Sequence, residues 1–163
     1  MGILSAEERE FFIQCVENLK QNTDFEKLKD YTHHYHTSTY YHSIWVAYIS
    51  FCISKFLRLK CDDETIIYGA LLHDYYLYDC HDEQDKMSFH LFKHPHISVH
   101  NAKRDWNINP IQENMIKRHM FPLTLVPPRY KESVIVNLVD KGCALYECLH
   151  RRPYANKMVT ALT

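Results

Sequence analysis

The chain has 163 residues, with 19 Lys and Arg against 20 Asp and Glu for a formal net charge of -1. That length suits one domain able to bury roughly two-thirds of the surface its unfolded form exposes. The even charge balance offers no strong field to draw duplex nucleic acid or an anionic membrane surface, and it leaves a small polar or anionic ligand open. Histidine is the outlier, with twelve residues, and imidazole is both a common metal ligand and the side chain that titrates near neutrality.

The six cysteines, at positions 15, 52, 61, 80, 143 and 148, form no C-x-x-C pair, so reduced thiols are expected rather than a zinc ribbon or a redox dithiol. The first residues, Met1 to Glu8, lack a basic start followed by an apolar core, and no uncharged run reaches the roughly 18 residues that span a bilayer. A cytoplasmic protein is expected. Gly2 does not signal myristoylation, because Ser5 stands one position too early.

Only three glycines occur, and no Asn-Gly or Asp-Gly hairpin turn is present, which predicts an all-α fold. Ser5 and Glu8 form the sequence pattern of a capping box, opening a first helix to about Lys20. A short second helix follows Thr23-Asp24 and ends before the cluster His33, His34 and His36. Ser38 or Thr39 opens a longer helix to about Leu57 in which His42, Val46, Ile49 and Ile53 share one face, so His42 points into the core. The next helix starts near Asp62 or Asp63 and sets Ile66, Gly69, Ala70 and His73 on one stripe, the small pair allowing another backbone to approach closely.

From Leu77 to Lys93 no period is evident, and a long loop at a site mouth is expected. Pro95 then starts a helix with His94 in the capping position. Asn109-Pro110 repeats that device for a helix with the face Gln112, Met115, Ile116 and His119, followed by a proline-marked loop from Met120 to Pro128. The last helix, from about Arg129 to Leu149, sets Ser133, Val136, Asp140, Cys143 and Ala144 on one stripe, with Asp140 as the lone inward carboxylate. No repeat or linker appears, so residues 1–163 are expected to form a single domain of about six to seven helices.

Four histidines and two aspartates, His42, His73, Asp74, His94, His119 and Asp140, thus come from five segments of one bundle. Polar groups in apolar settings are costly without a partner, and mixed imidazole and carboxylate donors suit a divalent transition metal such as zinc, manganese or iron. If Asp74 bridges, then His42, His73 and Asp140 complete one ion while His94 and His119 hold a second. The other histidines, including His81, His90, His96, His100 and His150, read as surface or loop residues. Tyr75, Tyr76 and Tyr78 read as packing.

These residues resemble the HD-domain superfamily, named for its His-Asp doublet. The family's pattern of a His, the doublet and a distant Asp is matched by His42, His73-Asp74 and Asp140. Its six-ligand, two-metal members add two histidines between, as His94 and His119 do here, and the likeness covers about residues 38–150. The resemblance implies an all-helical HD-type bundle and metal-dependent hydrolysis of phosphomonoesters or phosphodiesters, frequently nucleotides, through a metal-activated water. Cyclic-dinucleotide phosphodiesterases continue the doublet with Ile-Gly-Lys and carry Gly-Tyr-Pro. Here Tyr75-Tyr76-Leu77 follows and Gly-Tyr-Pro is absent, so that substrate class is not carried over.

With this chemistry Asp74 is the expected metal bridge, and Asp79 or Asp82 could protonate a leaving group. Lys141 and Arg118 could bind phosphate oxygens. Two other functions share the same ligands: an HD-type di-iron oxygenase, and a non-catalytic metal- or nucleotide-binding module. Nothing in the chain names the substrate or the oligomeric state.

Overall fold

The computed structural model describes residues 3–34, 37–77 and 87–149. Its elements are α1 (Ala6–Asn22), a 3₁₀ helix (Phe25–Asp30), strands β1 (Thr32–His34) and β2 (Thr37–Ser38), then α2 (Thr39–Phe56), α3 (Asp63–Leu71), α4 (Met87–Asp105), α5 (Pro110–Arg118) and α6 (Lys131–Leu149). The fold is an all-α bundle. The two strands pair antiparallel as a small hairpin that forms without an Asn-Gly turn.

Local chemistry sets most of the helix starts. Glu8 N–H donates to Ser5 Oγ while Ser5 N–H donates to Glu8 Oε2, closing the capping box of α1. Asp62 accepts from Thr65 N–H at the start of α3. Asn109 Oδ1 accepts from Ile111 and Gln112 N–H, and Gln112 Oε1 accepts from Asn109 N–H, so α5 opens on a second reciprocal cap with Pro110 in its first turn. Each such cap stabilises its helix by about 1 kcal/mol.

The core runs through the whole bundle. Phe12, Cys15, Val16 and Leu19 of α1 pack with Phe25 and Leu28 of the 3₁₀ helix. Ile44, Val46, Ala47 and Phe51 of α2 and Ile66, Ile67, Ala70 and Leu71 of α3 join the same cluster. Central α2 is buried on most sides and packs against both α3 and α6. At the crossing of α3 and α5, a Cβ on Gly69 would stand 2.5 Å from Met115 Sδ. The small residue predicted to admit a backbone therefore admits a thioether.

Three expectations are corrected. The helix expected to start at Pro95 begins at Met87, and Pro95 lies inside it, so the segment to Lys93 is not all loop and His94 is no cap. An interior proline removes one helix hydrogen bond and clashes with the preceding turn, costing about 3 kcal/mol. Against that cost, α4 gains an inward stripe of His94, Ser98, Asn101 and Ala102, all buried. The helix bearing the doublet ends at Leu71, so His73 and Asp74 occupy the turn beyond it. Asp140 is not the lone inward carboxylate of α6, because Glu132 and Glu147 are buried too.

Cys15, Cys52, Cys61, Cys143 and Cys148 are free thiols; Cys80 lies outside the described residues. No helix among the described residues is long and apolar enough to cross a membrane.

Candidate metal centre

His42 stands in the first turn of α2, His73 and Asp74 in the turn after α3, His94 in the middle of α4, His119 at the C-cap of α5 and Asp140 within α6. All six are buried. They form two groups, His42 with His73 and Asp140, and Asp74 with His94 and His119. Within each group the possible ligand atoms lie no more than 4.8 Å apart. Asp74 faces both: its Oδ2 is 3.4 Å from His73 Nε2, while Oδ1 is 3.4 Å from His94 Nε2 and 3.3 Å from His119 Nε2.

Hydrogen bonds on the far side of the His73 and His119 rings decide where their lone pairs point. A carbonyl can only accept, so His73 Nδ1–H donates to Ala70 O and His119 Nδ1–H to Ile116 O, each at 2.7 Å. Their Nε2 atoms then face the centre. His73 Nε2 is buried and makes no hydrogen bond among the described residues, lying 3.4 Å from Asp74 Oδ2 and 3.7 Å from Asp140 Oδ1. A buried ring nitrogen left in that position calls for a further partner. His94 Nε2 and His119 Nε2 approach to 2.8 Å, which requires a proton between the two nitrogens or a cation facing both.

His42 is held between two carboxylates, with Nδ1 2.9 Å from Glu147 Oε1 and Nε2 3.1 Å from Asp140 Oδ1. Burial opposes a charge on this ring, but the hydrogen bonds and charges of Asp140 and Glu147 prevail and push its pKa up to about 9. Burial likewise opposes a charge on His73, and Asp74 and Asp140 outweigh it to raise that pKa. Burial would raise the Asp140 carboxyl, yet the hydrogen bond from His42 and the positive charge available on His73 and Lys141 beside it hold it well below the usual carboxylate range. Without an ion, protons on imidazole thus supply the positive charge that these carboxylates require. Deprotonated, the same rings and carboxylates are the mixed nitrogen and oxygen donor set that suits a divalent transition metal, so the residues fit such an ion.

Side chains around the centre fix its parts. Asn137 of α6 donates to His119 O and Phe121 O, tying the end of α5 to the helix that carries Asp140. Lys141 donates to His119 O and lies 3.0 Å from Asp140 Oδ2, so its ammonium group is held beside both groups. Arg118 ends α5 with a half-buried side chain. Asp79 and Asp82 lie outside the described residues.

Tyr75 and Tyr76 are buried, in keeping with packing. The Tyr75 hydroxyl accepts from Asp24 N–H and donates to Asp105 Oδ2. Asn101 donates to the carbonyls of both tyrosines. His96 and His100 are exposed, as expected.

Glu147 escaped sequence reasoning, although a signal was present. It lies two helical turns beyond Asp140 and continues the stripe of Ser133, Val136, Asp140 and Cys143.

Compared with known proteins, the chain matches the model of the HD domain over residues 39–145, a span that contains all six residues of the two groups. No curated protein and no solved structure gives a significant match. The chain belongs to the HD-domain family, most of whose members are metal-dependent phosphohydrolases.

Proposed function

We propose that the protein is a phosphohydrolase, acting as a single domain on a small phosphate ester or nucleotide at a centre of two divalent ions. The observation that carries this reading is the position of Asp74, whose two oxygens face separate groups of buried donors. In that role Asp74 is the bridge, His42, His73 and Asp140 complete one ion, and His94 and His119 complete the other. Bound there, the ions supply Lewis acidity that activates a water near neutral pH and neutralises charge on a phosphate ester.

The chain's own residues do the rest. Ala70 and Ile116 carbonyls hold His73 and His119 with their Nε2 lone pairs turned inward. Lys141 balances the negative charge of Asp140, and a phosphate oxygen drawn near would compete for that ammonium group. Arg118 is the second candidate for a phosphate oxygen. Asp79 or Asp82 is the proposed donor of a proton to the leaving group.

The test is elemental analysis of protein purified without added metal or chelator, followed by a phosphate-release screen over nucleotides and sugar phosphates with oxygen uptake recorded in parallel. About two ions of manganese, zinc or iron with phosphate release and no oxygen uptake is the expected result. Iron with oxygen consumption and no phosphate release would replace hydrolysis by the oxygenase reaction. Metal binding without either activity would leave a binding module, and no metal after reconstitution would remove the centre.

A further inference from the structure

His42 differs from His73 and His119 in what stands behind it. His73 and His119 lie just past the ends of α3 and α5, where the last carbonyls of a helix lack amide partners, and each ring uses one from three residues upstream. His42 sits in the first turn of α2, where carbonyls are directed into the helix that follows. Its Nδ1 must find an acceptor elsewhere, and it finds Glu147, 105 residues away in sequence.

A buried carboxylate is a costly acceptor, since a neutral amide or hydroxyl could take the same hydrogen bond without the expense of desolvating a charge. Glu147 nevertheless lies 4 % exposed, against a ring that is fully buried. Among the described residues, the group containing His42 therefore has two carboxylates, Asp140 as a ligand candidate and Glu147 behind the imidazole, whereas the other group has Asp74.

We propose that Glu147 is a positioning residue for the first ion: by accepting the Nδ1 proton of His42 it turns Nε2 toward Asp140 and strengthens that nitrogen as a donor. The inference rests on the reading of His42 as a metal ligand. The His42, His73 and Asp140 group accordingly binds its ion more tightly than the other group and fills first.

The test is a competitive chelator titration of cobalt(II) or zinc into the full chain, comparing wild type, Glu147→Gln and Glu147→Leu, with the cobalt absorption spectrum as a second readout. Wild type is expected to bind in two phases. Glu147→Leu should weaken the tighter phase by about 10- to 100-fold, the usual range for losing the partner behind a ligating histidine. Glu147→Gln, whose amide oxygen still accepts the Nδ1 proton, should weaken it less, and the weaker phase should be unchanged in both variants. Partial rescue by Gln separates a positioning role from general damage, and if the Leu variant does not fold, the Gln variant decides alone.

Equal affinities in wild type and variants, or equal losses in both phases, would overturn the role of Glu147 while leaving the metal centre intact. Absence of binding in wild type would overturn both. The titration records no turnover, so a failure of phosphate release would leave the role of Glu147 untouched.

Discussion

The two halves of the candidate centre are built by different means. In the Asp74, His94 and His119 group, His119 is oriented by the end of its own helix, and the end of α5 is braced by Asn137 and Lys141. In the His42, His73 and Asp140 group, α2 and α6 contribute from within their lengths, and the His42 ring is flanked by carboxylates on both sides. A helix terminus offers a ready acceptor at little cost, while a position inside a helix must borrow one from another element. Asp74 joins the two constructions, so the halves are expected to fail together when it is removed and separately when other ligands are.

Asp74→Ala should have the largest effect, with loss of metal from both groups and of all hydrolysis; unchanged metal content by elemental analysis would show that the halves do not share this residue. His119→Ala comes next. Metal content should fall by about one ion per chain, because the His42 group keeps its three donors, and loss of both ions would show that the halves cannot be separated.

Proton linkage sharpens the comparison further. In metal-free protein the pKa of His42 is about 9, above the roughly 6.5 of an unfolded imidazole. The resulting stabilisation is complete below about pH 6.5 and is lost as pH climbs through about 9. Asp140, held low, contributes stability above its unfolded pKa of about 3.9 that is lost as pH falls. Thermal melting of metal-free protein should therefore weaken between about pH 6.5 and 9, while a bound ion, taking the place of the proton, should flatten that decline. Parallel curves with and without metal would mean that the ion and the proton do not compete at His42.

The smallest effects concern two glycines. Gly142→Ala, at an exposed position of α6 where an added Cβ meets nothing within 4 Å, should stabilise by up to about 1 kcal/mol. Gly69→Ala, whose Cβ would collide with Met115, should gain nothing or lose about 1–3 kcal/mol. Denaturant melts of the two variants compare the open face of the bundle with the packed crossing beside the doublet.

The features legible in the sequence were those carried by local patterns. Caps at Ser5 and Asn109 marked two helix starts, and apolar spacing turned His42, His119 and Asp140 inward. Pro95 departs from a proline's usual place at a helix start because burial of the α4 stripe, a tertiary gain that no local pattern carries, offsets its cost. Glu147 continues the inward stripe of α6, but its role stays hidden until a histidine from 105 residues away is placed against it. Asn137 and Asn101 likewise declare themselves only through carbonyls on other elements.

Tyr75 carries a consequence for where this protein could be cut. Its hydroxyl tethers the residue after the doublet to the amide of Asp24, which lies before the matched span of residues 39–145. Phe12, Leu19, Phe25 and Leu28, also outside that span, belong to the same core cluster as Leu71 and Leu72. A fragment trimmed to residues 39–145 would retain every candidate ligand but lose Glu147. It is expected to melt at lower temperature and bind metal more weakly than the full chain. Ancestry is recorded in the matched span, but rigidity at the doublet is shared with the helix and the 3₁₀ turn that precede it.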